Sequence, residues 1–184
     1  MSMFREFLGQ AWMKNDKNSR APHILLMTKR FNDVSRLVAS EILRRPSLSA
    51  RVAAIEKWAA VADISRCLHN FNGVLQICSA FTNSSVFRLK KTWDKVSKTM
   101  VGLDHYEMHS TDVILPIAHV IREIRHFQQT PYKIELIRKV ANYLLDTSLL
   151  MDDEELYNTS LEIEPRTSRL STSALGQLSL SSKS

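Results

Sequence analysis

Residues 55–93, IEKWAAVADISRCLHNFNGVLQICSAFTNSSVFRLKKTW, predict two packed helices separated by a short polar interruption. Apolar residues recur at intervals of three and four from Ile55 to Leu68, which is the spacing of a helix and not the alternation of a strand. Asn70 and Gly73 tolerate a left-handed backbone, so the chain can turn there. A second apolar face follows, made of Val74, Leu75, Ile77, Cys78 and Phe81. The stretch is therefore expected to form a helical hairpin with a polar junction.

The segments around this hairpin also show helical spacing. Pro22 suits the first position of a helix, and the apolar residues from Ile24 to about Arg44 predict a long amphipathic one. Either Ser47 or Ser49 is expected to cap the helix that follows, and the acids that begin Asp152–Ile163 suit another helix start. The same spacing recurs at Ile117, Val120, Ile121, Ile124 and Phe127, and again at Ile134, Ile137, Val140 and Leu144. The sequence thus predicts an all-α fold.

Composition and length indicate a globular domain. The chain has 184 residues, of which 44% are hydrophobic and 24% charged, with only four glycines and five prolines. No run approaches the roughly 18 apolar residues that a bilayer span requires, and Met1–Trp12 lacks the apolar core of a secretory signal. Cys67 and Cys78 both fall in apolar helical stretches, which predicts buried thiols in a reducing compartment. We expect a cytoplasmic protein without a transmembrane segment.

The net charge of +6 raises the question of nucleic-acid binding. Basic residues are interspersed with acids over most of the chain, which is typical of solvated helix surfaces and not of a phosphate-binding stripe. The exception is the C-terminal end, where Arg166, Arg169 and Lys183 occur without an acid after Pro165. We expect no nucleic-acid partner, and a disordered Ser-rich tail over residues 167–184. Arg166-Thr-Ser and Arg169-Leu-Ser resemble sites for a basophilic kinase.

The residues offer little for covalent or metal-assisted catalysis. The sequence contains no Gly-rich phosphate loop and no nucleophile-elbow motif. His105 and His109 are four residues apart with Glu107 between them, which does not match the metalloprotease pattern. No catalytic residue, metal or cofactor is therefore expected. What remains are polar side chains at a helix junction and the basic segment Arg88-Leu-Lys-Lys, which are features of a protein-interaction surface.

Several segments, in order along the chain, resemble the catalytic domain of the RasGEF family, and within it the Ras-specific guanine nucleotide-releasing factors. They are FLGQAWMKNDKN (7–18), MTKRFNDVSRLVASEIL (27–43), RVAAIEKWAAVADISRCLHN (51–70), NFNGVLQICSAFTNSSVFRLKKTW (70–93), HVIREIRHFQQTPYKIE (119–135) and LYNTSLEIEPR (156–166). The resemblance implies an incomplete RasGEF-type helical domain, with its N-terminal part in residues 1–98 and its C-terminal part in residues 117–166.

The resemblance has two gaps. Family members begin with a helix upstream of Phe4 that has no counterpart here. They also carry, between positions matching Lys98 and Ile117, several helices and the first arm of a helical hairpin. Residues 99–116 match none of that piece, whereas Ile117–Gln129 resembles the second arm. Loss of these helices is expected to expose the side chains of Phe7, Trp12 and Trp93.

The resemblance also implies a function without covalent chemistry. RasGEF domains bind the switch loops of a Ras-family small GTPase, wedge the hairpin against the first switch and promote GDP release. The GTPase would then be the partner that recruits the chain to the membrane. The GTPase-binding residues implied by the family match are Lys29, Arg30, His69, Asn70, Phe71 and Asn72. The alternative is an exchange-dead shortened variant that only binds or competes for the GTPase; a nucleic-acid binder or a hydrolase fits the sequence less well.

Overall fold

A computed structural model describes residues 3–96 and 133–166, with side chains from residue 5 onward. Within these ranges the chain is helical, with no strand, which confirms the all-α prediction. The elements are α1 (Met3–Phe7), a 3-10 turn (Leu8–Met13), α2 (Lys17–Arg20), α3 (Pro22–Leu43), α4 (Leu48–Cys67), α5 (Phe71–Thr82), α6 (Ser84–Phe87), α7 (Lys90–Trp93), α8 (Arg138–Leu145), a 3-10 turn (Thr147–Leu149) and α9 (Asp153–Ile163). The predictions for residues 99–116, for the stretch 117–129 and for the tail 167–184 lie outside the described residues.

The helix boundaries follow from local chemistry. Pro22 occupies the first turn of α3, where a missing N–H costs nothing. Ser47 caps α4, because its Oγ accepts a hydrogen bond from the Ala50 N–H at 3.2 Å. α9 begins with a capping box, in which Asp152 and Glu155 each accept from the other's backbone N–H, at 2.8 and 3.0 Å. The predicted helix starts at these three positions are confirmed.

One buried cluster connects α3, α4, α5, α6 and α9. Its members are Val38, Ala39, Ile42, Leu43, Ala54, Ile55, Trp58, Ala62, Ile77, Ala80, Val86, Leu89 and Leu156. Leu156 is 1% exposed, although it lies far along the chain from the others. Residues from both described ranges therefore build the same hydrophobic core.

Polar contacts hold the end of α9 against α6 and α7. The Arg88 guanidinium donates to the backbone carbonyls of Ser160 and Glu164, the latter at 2.7 Å. The Glu164 carboxylate accepts from the N–H groups of Lys91 and Thr92, each at 3.1 Å, at the start of α7. Arg88 is thus a structural residue and the neighbouring Leu89 is buried, so the prediction of residues 88–91 as an interaction surface is wrong for these two positions.

The predicted exposure of three aromatic residues is only partly correct. Phe7 is 55% exposed, as expected, and its ring meets the partly buried Trp12 edge to face at 5.9 Å. Trp93, in contrast, packs against Phe81 with ring centroids 5.6 Å apart, and its Nε1 donates to the Val86 carbonyl at 3.0 Å. Trp93 is therefore partly buried by residues close to it in sequence.

For several apolar residues, the burial or the helix position predicted from hydrophobic periodicity is wrong. Cys67 is exposed and Cys78 is only partly buried, so the expected pair of buried thiols is wrong. Burial does raise the pKa of the Cys78 thiol. α8 begins at Arg138, and Ile134 and Ile137 precede it with more than half of their surface exposed. A few apolar residues at helical spacing do not locate a helix start, because turns and extended segments can carry the same intervals by chance. Within the described ranges, no helix is both long and apolar enough to cross a membrane.

Candidate interaction site

The junction between α4 and α5 has a defined backbone geometry. His69 adopts a left-handed conformation with φ of 57°. Asn70 follows as the N-cap of α5, and its Oδ1 accepts from the Gly73 N–H at 3.1 Å. The Asn70 N–H itself donates to the Ser65 carbonyl at 2.7 Å. The chain turns here as expected, but the left-handed residue is His69 and not Asn70 or Gly73, the two residues that tolerate such a backbone. The side chain of Asn70 is used as a cap, and the turn falls on the residue before it.

Gly73 is needed at this junction for space and not for its backbone freedom. A Cβ atom added at Gly73 would lie 2.8 Å from Asn70 Nδ2 and 3.3 Å from Ser65 Oγ. The first of these separations is shorter than side chains tolerate, so an alanine would push the cap away. The side chain of Asn70 is consequently held between α4 and the first turn of α5.

The residues around this junction are exposed, and many are apolar. His69, Asn70, Phe71 and Asn72 are all solvent exposed, and the rings of His69 and Phe71 are 6.1 Å apart. Phe71 and the large apolar side chains on the two neighbouring helices have between 37% and 59% of their surface exposed. These side chains are Val61, Ile64, Leu68, Phe71 and Leu75. We call residues 69–72 together with these apolar side chains the junction face.

The apolar side chains of the junction face come from two helices. Val61, Ile64 and Leu68 lie on one side of α4 and its C-cap, and Phe71 and Leu75 on one side of α5. The helical spacing predicted that Leu68 and Leu75 belong to apolar faces, and it did not single out Val61 and Ile64. Val61, Ile64 and Leu68 are also three and four residues apart, beside the buried stripe of α4. This second pattern in the sequence could have identified them.

Lys29 and Arg30 lie at a second place, a cleft between α3 and the α8 region. Arg30 donates to the Leu144 carbonyl at 2.5 Å, and Lys29 forms an ion pair with Asp33 at 2.6 Å. The cleft measures about 200 Å³. Its lining residues are Leu26, Lys29, Arg30, Asp33, Leu144, Leu145, Asp146, Thr147 and Leu150. The structure thus groups the six predicted binding residues into a pair at this cleft and a run of four at the junction face.

Tyr143 on α8 interacts with Glu41 on α3. Burial raises the pKa of Tyr143 to about 12, helped by the negative charge of Glu41, so this phenol stays protonated at neutral pH. Glu41 is itself engaged by Arg45 at 2.5 Å and by Trp58 Nε1 at 3.2 Å. Among residues 3–96 and 133–166, no group of three His, Cys, Asp or Glu side chains could hold a metal ion.

The chain is similar to known proteins over most of its length. The RasGEF domain matches residues 2–143. Ras-specific guanine nucleotide-releasing factor 1 of Homo sapiens is 45% identical over 212 aligned residues, which cover 89% of this chain and 17% of that protein. Ras-specific guanine nucleotide-releasing factor 2 of Danio rerio is 42% identical with the same two coverages. Ras guanine nucleotide exchange factor E of Dictyostelium discoideum is 49% identical over 92 residues, which are 50% of this chain and 9% of that protein.

The chain spans about a sixth of the length of the first two relatives, 17% in each case. Within that span the family's domain covers residues 2–143, which is more than half of this chain. The chain therefore belongs to the RasGEF domain family.

Proposed function

We propose that this chain binds a Ras-family small GTPase through the junction face and promotes release of its GDP. The observation that carries the proposal is the set of apolar side chains exposed around a polar junction whose backbone is held by hydrogen bonds, in a chain of the RasGEF family. We further propose that the chain works in the cytoplasm and reaches the membrane through this partner.

The composition of the junction face suits a protein partner. Exposed apolar side chains in water gain free energy when a partner covers them, at roughly 25 cal/mol per Å² of buried apolar area. Leu68, Phe71 and Leu75 would supply that area, while His69 and Asn72 would offer polar groups at its edge. Protein interfaces have this arrangement, with an apolar centre and a polar rim.

The second group of predicted residues adds positive charge near a cleft. Lys29 keeps 65% of its side chain exposed, although it pairs with Asp33, and such exposed pairs contribute little to stability. Its ammonium group is therefore available to an acidic surface on a partner. Arg30 is committed to the Leu144 carbonyl, so we propose that it mainly shapes the cleft.

Promotion of GDP release needs no bond to be made or broken. Nucleotide and Mg²⁺ hold the switch loops of a GTPase in place. A factor that binds the nucleotide-free GTPase more tightly must weaken nucleotide binding by the same ratio, because binding free energies are linked reciprocally. The chain would therefore act as a regulator, through differential affinity and not through a nucleophile or a metal.

A second candidate is a shortened variant that binds the GTPase but does not promote exchange. The alignment with the human relative extends over 212 positions, more than the 184 residues of this chain, so the relative carries residues that this chain lacks. We propose that the missing piece falls near residues 99–116 and includes one arm of the hairpin. A binder without that arm would discriminate less between nucleotide-bound and nucleotide-free GTPase, and would compete with complete factors.

Release of a fluorescent GDP analogue from Ras separates the two candidates. Acceleration by substoichiometric chain would support exchange and eliminate the second candidate. No acceleration, combined with retention of nucleotide-free Ras on the immobilised chain, would support the competitor. If a chain that is helical by circular dichroism shows neither effect on a panel of Ras-family GTPases, both proposals are wrong.

Substitutions on the junction face test its part in binding. We expect Asn72→Ala and Leu75→Ala to weaken retention of nucleotide-free GTPase, with a loss of about tenfold for the leucine if it lies near the interface centre. Asn142→Ala is the matched control, because Asn142 is an exposed asparagine on α8. Equal retention by all three variants and the unmodified chain would place the binding surface elsewhere.

A further inference from the structure

Three residues fix the start of α5 against the end of α4. Asn70 accepts from the Gly73 N–H at 3.1 Å through its side chain, and donates through its own N–H to the Ser65 carbonyl at 2.7 Å. A Cβ atom at Gly73 would lie 2.8 Å from Asn70 Nδ2 and 3.3 Å from Ser65 Oγ, so the capping side chain of Asn70 would have to move. We call Ser65, Asn70 and Gly73 the junction clamp.

We propose that the junction clamp is a positioning element for GTPase binding, with Asn70 as its central residue. The clamp sets the angle between the α4 part of the junction face, which includes Leu68, and the α5 part, which includes Phe71 and Leu75. This inference rests on the proposed function and assigns Asn70 the role of shaping the surface, while its neighbours contact the partner.

The backbone of His69 explains why a clamp is needed. A non-glycine residue at φ of 57° lies in a sparsely populated region, and such a conformation persists only where surrounding contacts impose it. The contacts that impose it here include the hydrogen bonds of Asn70 on one side and that of the His69 N–H to the Arg66 carbonyl at 2.9 Å on the other. Without the Asn70 cap, the first turn of α5 would fray and the His69 conformation would relax.

Fraying of the first turn of α5 would change the junction face, because apolar residues of this face lie on that helix. Phe71 is the first residue of α5, and Leu75 lies one turn further on. A frayed first turn would let Phe71 move away from Leu68 across the junction. An interface that closes on apolar side chains from two helices loses complementarity when these helices change their relative direction.

Hydrogen exchange of the Gly73 amide measures the clamp directly, without any partner. We expect slow exchange in the unmodified chain, faster exchange in Asn70→Ala, and slow exchange again in Asn70→Asp, which keeps the acceptor oxygen. Ser47→Ala is the matched control, because it removes the cap at the opposite end of α4 and should leave the Gly73 amide unchanged.

Binding to nucleotide-free Ras then tests the positioning role. We expect Asn70→Ala to weaken binding about fivefold, the equivalent of one lost cap, and Asn70→Asp to restore it. Gly73→Ala should reproduce the loss, and Ser47→Ala should not. In a Leu75→Ala background, Asn70→Ala should cost less than about twofold, because a positioning residue and the side chain that it positions are coupled.

Two results would overturn the inference while leaving the proposed function intact. One is a faster Gly73 exchange in Asn70→Ala with unchanged affinity for Ras, which would make the clamp purely structural. The other is a fivefold loss that persists in the Leu75→Ala background, which would point to a direct contact by Asn70. An unmodified chain with a protected Gly73 amide that binds no GTPase would refute the proposed function, and the positioning role with it.

Discussion

At the scale of single residues, Glu6 shows how a side chain distant in sequence can complete a helix. α3 has Ala21 at its N-cap position, where no side chain can accept a hydrogen bond. The buried Glu6 carboxylate takes this place by accepting from the Ile24 N–H at 2.9 Å and by pairing with His23 Nδ1. A negative charge at a helix N-terminus is also favourable because of the helix dipole. The stability of α3 therefore depends on α1.

The protonation of Glu6 should make the stability of the protein depend on pH. Burial by itself would raise the pKa of Glu6, but the hydrogen bonds from Ile24 and His23 outweigh it and lower the pKa. The folded-state pKa is thus below the unfolded one, so Glu6 stabilises the fold above the ordinary glutamate pKa. We expect this contribution to disappear as the pH falls from about 5.

Urea unfolding at a series of pH values provides the measurement. Glu6→Gln should be less stable at neutral pH and should lose less stability on acidification than the unmodified chain. Glu162→Gln, at an exposed position, should keep the original pH dependence. Parallel curves for the two variants would contradict the assignment.

Among the basic residues of the segment 88–91, we expect Arg88 to contribute most to the stability of the fold. Its guanidinium satisfies backbone carbonyls at the end of α9, including that of Glu164 at 2.7 Å. We expect Arg88→Ala to lower the free energy of unfolding by about 1–3 kcal/mol, since the Glu164 carbonyl would lose its donor and the Ser160 carbonyl would keep only the Glu164 N–H. Lys91→Ala should change it by less than about 0.5 kcal/mol, because that side chain is exposed. Similar denaturation midpoints for the two variants would count against this role of Arg88.

At the scale of elements, short helices are held by their neighbours. α7 has only four residues and its N-cap, Leu89, offers no side-chain acceptor. The Glu164 carboxylate supplies the cap from beyond α9, through the N–H groups of Lys91 and Thr92 and the Thr92 hydroxyl at 3.1 Å. An isolated helix of this length would not persist in water. α7 and the end of α9 therefore stabilise each other.

Removal of this contact should destabilise both elements together. We expect Glu164→Ala to lower the free energy of unfolding by about 1–3 kcal/mol, because it leaves the Lys91 N–H and the Thr92 hydroxyl without their acceptor. Glu162→Ala is the matched control, two residues away and exposed. Hydrogen exchange should show faster exchange of the Lys91 amide, whose N–H donates to Glu164, in the first variant only. Unchanged exchange of that amide would mean that Glu164 is not its acceptor in solution.

At the scale of the whole molecule, a single core makes residues 3–96 and 133–166 depend on each other. Leu156 of α9 is 1% exposed in a cluster that otherwise consists of residues from α3 to α6 and Leu89. Met151 adds a polar link, since its N–H donates to Ser40 Oγ on α3 at 2.9 Å. The two ranges should therefore unfold in one cooperative transition.

Truncation of Leu156 tests this dependence. We expect Leu156→Ala to cost about 2–5 kcal/mol, the range for a large buried aliphatic residue, and to shift the unfolding of the entire chain. Leu145→Ala, where the side chain is 63% exposed, should have little effect. Circular dichroism and tryptophan fluorescence should report the same midpoint, because Trp58 lies in the same cluster. Separate transitions would show that α9 is not part of that core.

The sequence by itself determined the helical class, the long helix behind Pro22, the cap at one of two serines and the charged start of α9. It also carried the family resemblance, through segments that stand in the family's order. These features depend on intervals of three and four residues or on contacts between close neighbours, so they can be read from local sequence.

Only the tertiary structure decided which apolar residues are buried. Ala62 and Ile64 lie on the same helix, yet one is fully buried and the other is 59% exposed, because α5 covers only one side of α4. Glu6, Arg88 and Glu164 owe their roles to partners many residues away, which no local pattern contains. The junction of residues 69–72 was visible in the sequence, but only the folded backbone showed that His69 is its left-handed residue and that Asn70 caps α5 through the Gly73 N–H.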